Sequence, residues 1–133
     1  MSAGKLEIVF DGDRGEVPRV EPGSTLSGRA IFTPRAEAKV DGVSIAVGWK
    51  TRGKGNDDEK EVWSRKEEIP TEGRVVEASR TVSWPFRCQL PDSPWSYDGK
   101  IVSIYWEVTV RLDVPWAKDP CAKRAFVLRP PPA

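Results

Sequence analysis

The sequence predicts an all-β fold in which two antiparallel sheets pack face to face as a sandwich. Alternation is the first reason. From Val102 to Leu112 every second residue is apolar (Val102, Ile104, Trp106, Val108, Val110, Leu112), with Ser103, Tyr105, Glu107, Thr109 and Arg111 between them. Successive strand side chains point to opposite faces, so this stretch reads as a strand with one dry face and one wet face. The second reason is the lack of a helical rival. No segment carries a sustained 3.6-residue apolar repeat, and Ser64–Glu68 is predicted to make a short helical turn at most. About seven short alternating runs, separated by turn residues, suit a sandwich. Their one-sided alternation suits antiparallel sheets stacked on each other.

The first strand is read over Lys5–Phe10, with Leu6, Ile8 and Phe10 on one face and Asp11-Gly12-Asp13 ending it. Arg14–Gly23 is a turn-rich link. Its Pro22-Gly23 pair asks for a type II turn, because glycine accepts the positive φ at the third position. Leu26, Gly28, Ala30 and Phe32 line a second strand that Pro34 stops by removing a ladder donor. Asp41-Gly42 launches a third, with Val43, Ile45, Val47 and Trp49 on one face. Gly53–Glu59 is a charged, glycine-containing loop, predicted exposed and mobile.

Glu61–Ile69 alternates poorly, since Trp63 and Ile69 share parity with Glu61, Arg65 and Glu67. It reads as an edge strand, where charge discourages sheet-to-sheet aggregation. Val76, Ala78, Val82 and Trp84 are read as one face of the next strand, with Arg80 as its polar exception. Pro85, Pro91 and Pro94 then make Trp84–Gly99 a corner that breaks pairing. After the long strand, Pro115 and Pro120 bracket an irregular piece. A last strand around Ala122–Leu128 places Phe126 and Leu128 inward. Residues 1–133 are thus expected to form one domain, with a stiff proline-rich tail over 129–133.

Composition narrows the function. With 21 basic and 20 acidic residues the net charge is +1, so no broad field favours nucleic acid or anionic membrane. There is no histidine, which removes the commonest general base, zinc ligand and pH switch together. Two separated cysteines, Cys88 and Cys121, make a poor metal set. They read as reduced thiols of a cytoplasmic protein, with a bridge between them left open. The opening residues carry no apolar signal core, and no run reaches the ~18 apolar residues of a membrane span. Thr51–Asn56 lacks the spacing of a phosphate loop, and Asp57-Asp58-Glu59 lacks the closing ligands of a calcium loop. No catalytic, cofactor or metal site is therefore expected.

The six tryptophans divide by parity. Trp106, Trp49 and Trp84 fall on apolar faces and are expected in the core. Trp63, Trp95 and Trp116 fall on an edge strand or in loops. There they either plug the ends of the sandwich or meet a partner, since indole offers a large apolar body and one donor.

Several stretches together resemble a known family. Leu6-Glu7-Ile8-Val9-Phe10-Asp11-Gly12, followed by Val20-Glu21-Pro22-Gly23-Ser24-Thr25-Leu26-Ser27-Gly28-Arg29, resembles the opening of arrestin-like N-terminal domains. Asp41-Gly42-Val43 into Trp49-Lys50-Thr51-Arg52-Gly53 resembles their third strand. Phe86-Arg87-Cys88-Gln89-Leu90-Pro91, then Pro94-Trp95-Ser96-Tyr97-Asp98-Gly99-Lys100, then Ile104-Tyr105-Trp106-Glu107-Val108 is similar to the α-arrestin order of motifs, and Leu112-Asp113-Val114-Pro115-Trp116 continues it. The likeness covers roughly Lys5–Leu128. It implies an immunoglobulin-like β-sandwich, a single arrestin-like lobe, also shared by sporulation-control proteins and retromer-type cargo subunits. It further implies adaptor or scaffold work on other proteins. Three departures limit it. Arrestins usually have two sandwich lobes, and one is read here. Asp11-Gly12 stands after Phe10, where receptor-binding arrestins carry phosphate-sensing lysines, and the tail Pro130-Pro131-Pro132-Ala133 has no P-P-x-Y motif.

The expected function is a non-catalytic protein-interaction module, with Lys54, Asn56, Trp63, Trp95, Tyr97 and Trp116 as candidate partner-binding residues. The alternative is a structural subunit that self-associates or sits in a larger assembly. A carbohydrate-binding or hydrolytic sandwich stands behind both, on carboxylates and aromatics alone.

Overall fold

The computed structural model describes residues 4–12, 15–53, 57–115 and 118–130. Its strands are β1 (Gly4–Phe10), β2 (Arg19–Val20), β3 (Thr25–Pro34), β4 (Ala38–Lys39), β5 (Gly42–Gly53), β6 (Glu59–Glu68), β7 (Val75–Val76), β8 (Val82–Gln89), β9 (Tyr97–Asp98), β10 (Val102–Asp113) and β11 (Cys121–Leu128). The one helical piece among the described residues is a 3-10 turn at Thr71–Gly73. A small sheet has the order β1-β3-β8. A larger one has the order β2-β11-β10-β5-β6, with β9 beside the start of β10. Strands β4 and β7 form a separate ribbon. Pairing is antiparallel except between β2 and β11. The all-β sandwich read from the sequence is the observed architecture.

β10 is the centre of the larger sheet. It pairs with β5 along its whole length, from Val102↔Gly53 to Asp113↔Gly42. On its other side it pairs with β11 over Trp106–Arg111 and with β9 at Ser103 and Ile104. Trp106, Val108, Val110 and Leu112 are fully buried, as their alternation predicts. The two sheets meet through a row of rings. Phe86 and Phe10 of the small sheet lie 6.4 Å apart, Phe10 meets Phe126 at 6.2 Å, and Phe126 meets Trp106 at 5.8 Å. Each such buried side chain contributes about 1.5–3 kcal/mol to holding the sheets together.

The structure corrects three readings here. The single strand expected across Val76–Trp84 is two strands. Val76 pairs in the β4–β7 ribbon, and Glu77–Thr81 turns, with Ser79 at φ 65° and its N–H donating to Pro34 O at 2.9 Å. Pro85 does not interrupt pairing. It lies inside β8, opposite Arg29, on a strand bonded on one side only, where a missing N–H costs little. The buried face of β8 therefore continues past it to Phe86, Cys88 and Leu90, while Trp84 is half-buried. Ser64–Glu68 belongs to β6, at the edge of the larger sheet, as the edge-strand reading of Glu61–Ile69 expects.

The poor alternation of the edge strand also has a physical cause. Val47 pairs Trp63 but Gly48 pairs Glu61, so Val62 is an extra residue in a bulge. Trp63 shares the inner parity of Val47, and Glu61 turns outward. Trp49, expected in the core, lies beyond this bulge opposite Lys60 and is half-buried. The two cysteines are free, Cys88 buried and Cys121 exposed, so the bridge left open by the sequence does not form.

Candidate protein-interaction surface

One end of the sandwich carries the loop between β8 and β9, and the chain fixes this loop at each step. Leu90 is buried and its N–H donates to Ser24 O at 2.8 Å. Gly23 N–H donates to Pro91 O at 3.1 Å from the tip of the Pro22-Gly23 turn. That turn is the type II turn its sequence asks for, with Gly23 at φ +76° and Ser24 N–H returning to Glu21 O at 3.2 Å. The Ser93–Pro94 peptide is cis. Pro94 O then accepts the indole N–H of Trp106 at 2.8 Å. A tryptophan buried in a core needs a partner for that donor, and here the partner is the loop. The core residue that stabilises the sheet thus also positions its end.

Three further hydrogen bonds complete the attachment. Ser96 N–H donates to Leu128 O at 2.9 Å, and Leu128 N–H donates to Ser96 Oγ at 2.9 Å. Gly99 N–H donates to Val102 O at 3.1 Å, closing the turn from β9 into β10. Gly99 has no side chain to spare room for: a methyl there would sit 2.5 Å from the Tyr97 ring and 2.6 Å from Val102 O.

Against this loop lies an open groove of about 480 Å³, lined by Tyr97, Tyr105, Ala125, Val127, Val17 and Arg129 among others. Tyr105 projects from the outer parity of β10, opposite to Trp106. Ala125 and Val127 do so from β11. Tyr97 is 53% exposed and Val17 61%, and Ile101, at 73%, and Val102 stand exposed nearby in the chain. From β5, the guanidinium of Arg52 lies 5.7 Å from the centre of the Tyr105 ring. Asp98 also lines the groove and accepts from Ser103 Oγ at 3.1 Å.

A second depression of about 460 Å³ crosses the outer face of the larger sheet over Ala46, Gly48, Lys50, Glu107, Thr109 and Lys123. Its charges answer each other. Lys50 Nζ lies 2.9 Å from Glu107 Oε1 and 4.0 Å from Glu59 Oε2. Hydrogen bonding and attraction to Glu107 push the Lys50 ammonium above its ordinary 10.5. Among the described residues, no three His, Cys, Asp or Glu side chains come close enough together to hold a metal ion. No described helix is long and apolar enough to cross a membrane.

Of the six candidate residues, Tyr97 lines the groove. Trp95 is on the same loop, 52% exposed, with its indole N–H donating to Asp92 O at 2.8 Å. Trp63 is half-buried on β6 and packs against the core. Lys54, Asn56 and Trp116 lie outside the described residues. Sequence reasoning did not single out Val17, Tyr105, Ala125, Val127 or Arg129. A signal for the β11 pair was present: Ala125-Phe126-Val127-Leu128 is apolar at both parities, so one of its apolar faces has to be the outer one.

Residues 6–131 match the family model described as arrestin (or S-antigen), N-terminal domain. Among solved structures, the chain is similar to the crystal structure of Spo0M, a sporulation control protein from Bacillus subtilis. The TM-score is 0.73 at 15% identity, over 97% of this chain and 50% of that one. The chain thus spans about half the length of that protein, and likeness at this identity concerns the fold. No curated protein matches the sequence.

Proposed function

We propose, from the premise that this chain belongs to the arrestin N-terminal domain family, that it is a non-catalytic adaptor that binds another protein through the groove beside β9. The supporting observation is the pairing of a fixed loop with an open apolar surface. Tyr97 and Val17 are more than half exposed beside Tyr105, Ala125 and Val127. Exposed apolar area is usual on a protein surface when scattered, but a contiguous patch marks an interaction site. Aromatic anchors that are already ordered lose little freedom on binding, which favours affinity. A groove open along its length suits a protein segment better than a small molecule, which a pocket encloses over most of its surface. The cytoplasm is the compartment this reading takes, in keeping with two free thiols.

The test is affinity capture from the native host with the unaltered chain and a Tyr97→Ala/Val127→Asp variant, each checked for folding by circular dichroism. The expected result is a partner set retained by the unaltered chain and lost by the variant. An identical partner set on both would place the interaction elsewhere. Light scattering over a concentration series separates self-association, in which case the variant remains monomeric at concentrations where the unaltered chain does not.

A further inference from the structure

Resting on the reading of this groove as the partner site, we propose that its occupant is an acidic–apolar segment of another protein, a short stretch with large apolar side chains flanked by carboxylates. The floor asks for the apolar part. Tyr97, Tyr105 and Val127 present rings and methyl groups to solvent and leave few polar groups to satisfy. The flanks ask for the carboxylates. In the sheet order, β5 lies on one side of β10 and β11 on the other. Arg52 reaches the floor from the β5 side, over Tyr105, and Arg129 lines it from the β11 side. Neither guanidinium enters an ion pair with a described residue, whereas Lys50 close by is held by Glu107. Among the described residues, the one carboxylate lining the groove, Asp98, accepts from Ser103.

The two arginines thus have donors to offer. A guanidinium presents a planar fork that takes a carboxylate through two parallel hydrogen bonds. The attraction between Arg52 and the Tyr105 ring, 5.7 Å apart, favours keeping that guanidinium beside the groove before a partner arrives. With a net charge of +1 for the whole chain, no broad field attracts acidic segments, so the attraction proposed here rests on these two guanidinium groups.

The experiment is selection of a random-peptide phage library on the full 133-residue chain, followed by affinity measurement of the enriched peptides by fluorescence anisotropy at low and high salt. The expected peptides carry Asp or Glu on either side of Leu, Ile, Phe or Trp. Their affinity should fall as salt rises, and drop by roughly tenfold or more in an Arg52→Glu/Arg129→Glu variant, with lysine-flanked peptides gaining. Enrichment of neutral or basic peptides, or equal binding to the charge-reversed variant, overturns the inference. A Tyr97→Ala/Val127→Asp variant separates the two levels. If it abolishes binding while charge reversal does not, the groove is the site and the acidic partner is wrong. If neither change matters, or nothing is enriched, both readings fall.

Discussion

At the scale of single residues, position in the pleat decides what a substitution does. Val108 lies at the centre of β10 with no exposed surface. Val108→Asp would bury a carboxylate without a partner and is expected to cost more than about 4 kcal/mol, enough to unfold the domain. Trp95→Ala removes a half-exposed ring and one hydrogen bond to Asp92 O, and is expected to change stability by about 1 kcal/mol or less. Urea denaturation of both variants checks the contrast. The thiols give a second test. Burial pushes the Cys88 thiol up from its ordinary 9.0 to about 11. As pH rises from 9, the unfolded chain loses that proton before the folded chain does, so the folded state holds more protons and stability declines toward 11. The contribution is fully present below pH 9. Lys50 adds to the decline at higher pH, because its ion pair is complete below 10.5 and fails as the ammonium titrates through its raised value. Melting curves between pH 8 and 11 should show the decline, with a smaller slope in Cys88→Ala. A thiol reagent at pH 8 should label Cys121 at once and Cys88 on unfolding.

At the scale of elements, what needs explaining is how the two sheets are closed along their long edges. Each edge of the small sheet is reached by an arginine of the larger one. Arg124 of β11 donates to Ile8 O of β1 at 2.9 Å and to Glu16 O at 3.2 Å, and its guanidinium lies 4.8 Å from the centre of the Phe10 ring. Arg65 of β6 donates to Pro85 O of β8 at 2.6 Å. These bonds occupy carbonyls that an unpaired strand edge would leave open to another chain. Arg124→Ala is expected to cost about 1.5–3 kcal/mol, and to speed amide exchange in β1 before the rest of the core. Arg124→Lys should recover little of this, since one ammonium cannot reproduce the fork. Such contacts were not legible in the sequence. Period-2 alternation identifies Trp106, Val108, Phe126 and Leu128 because burial alone sets those residue types. It assigns Arg65 and Arg124 to nothing in particular, because their partners are backbone carbonyls of strands distant in the chain. Alternation also ran β7 and β8 together, since Val76, Val82 and Trp84 keep the same parity across the turn at Ser79. The loop from Leu90 to Gly99 was legible as a corner from its prolines and as a family mark. Its attachment to the Trp106 indole was not, because nothing in the residue types says which carbonyl that donor reaches.

At the scale of the whole molecule, the sandwich is near balance in charge, with the edges of its small sheet bridged by Arg124 and Arg65, and one end of its outer face carries apolar side chains beside two arginines. On its outer face Lys50, Glu59 and Glu107 answer one another. Beside β9, apolar residues and two arginines are left facing solvent. The fold places that end with core material: Trp106 holds Pro94, and the Ser96–Leu128 bonds hold the loop to β11. Tyr97 was legible as a site candidate because it follows Trp95 in a proline-rich corner. Tyr105 and Arg129 were not, since a wet-face tyrosine and a terminal arginine look like ordinary solvated positions until the topology sets them side by side. The most direct test of the adaptor reading is nuclear magnetic resonance of the labelled chain, with a partner captured from its host added in steps. The expected result is that shift changes concentrate at Tyr97, Asp98, Tyr105, Ala125, Val127 and Arg129, with the opposite edge at β6 unchanged. Shift changes centred on β6 or β1, with the groove unaffected, would contradict it.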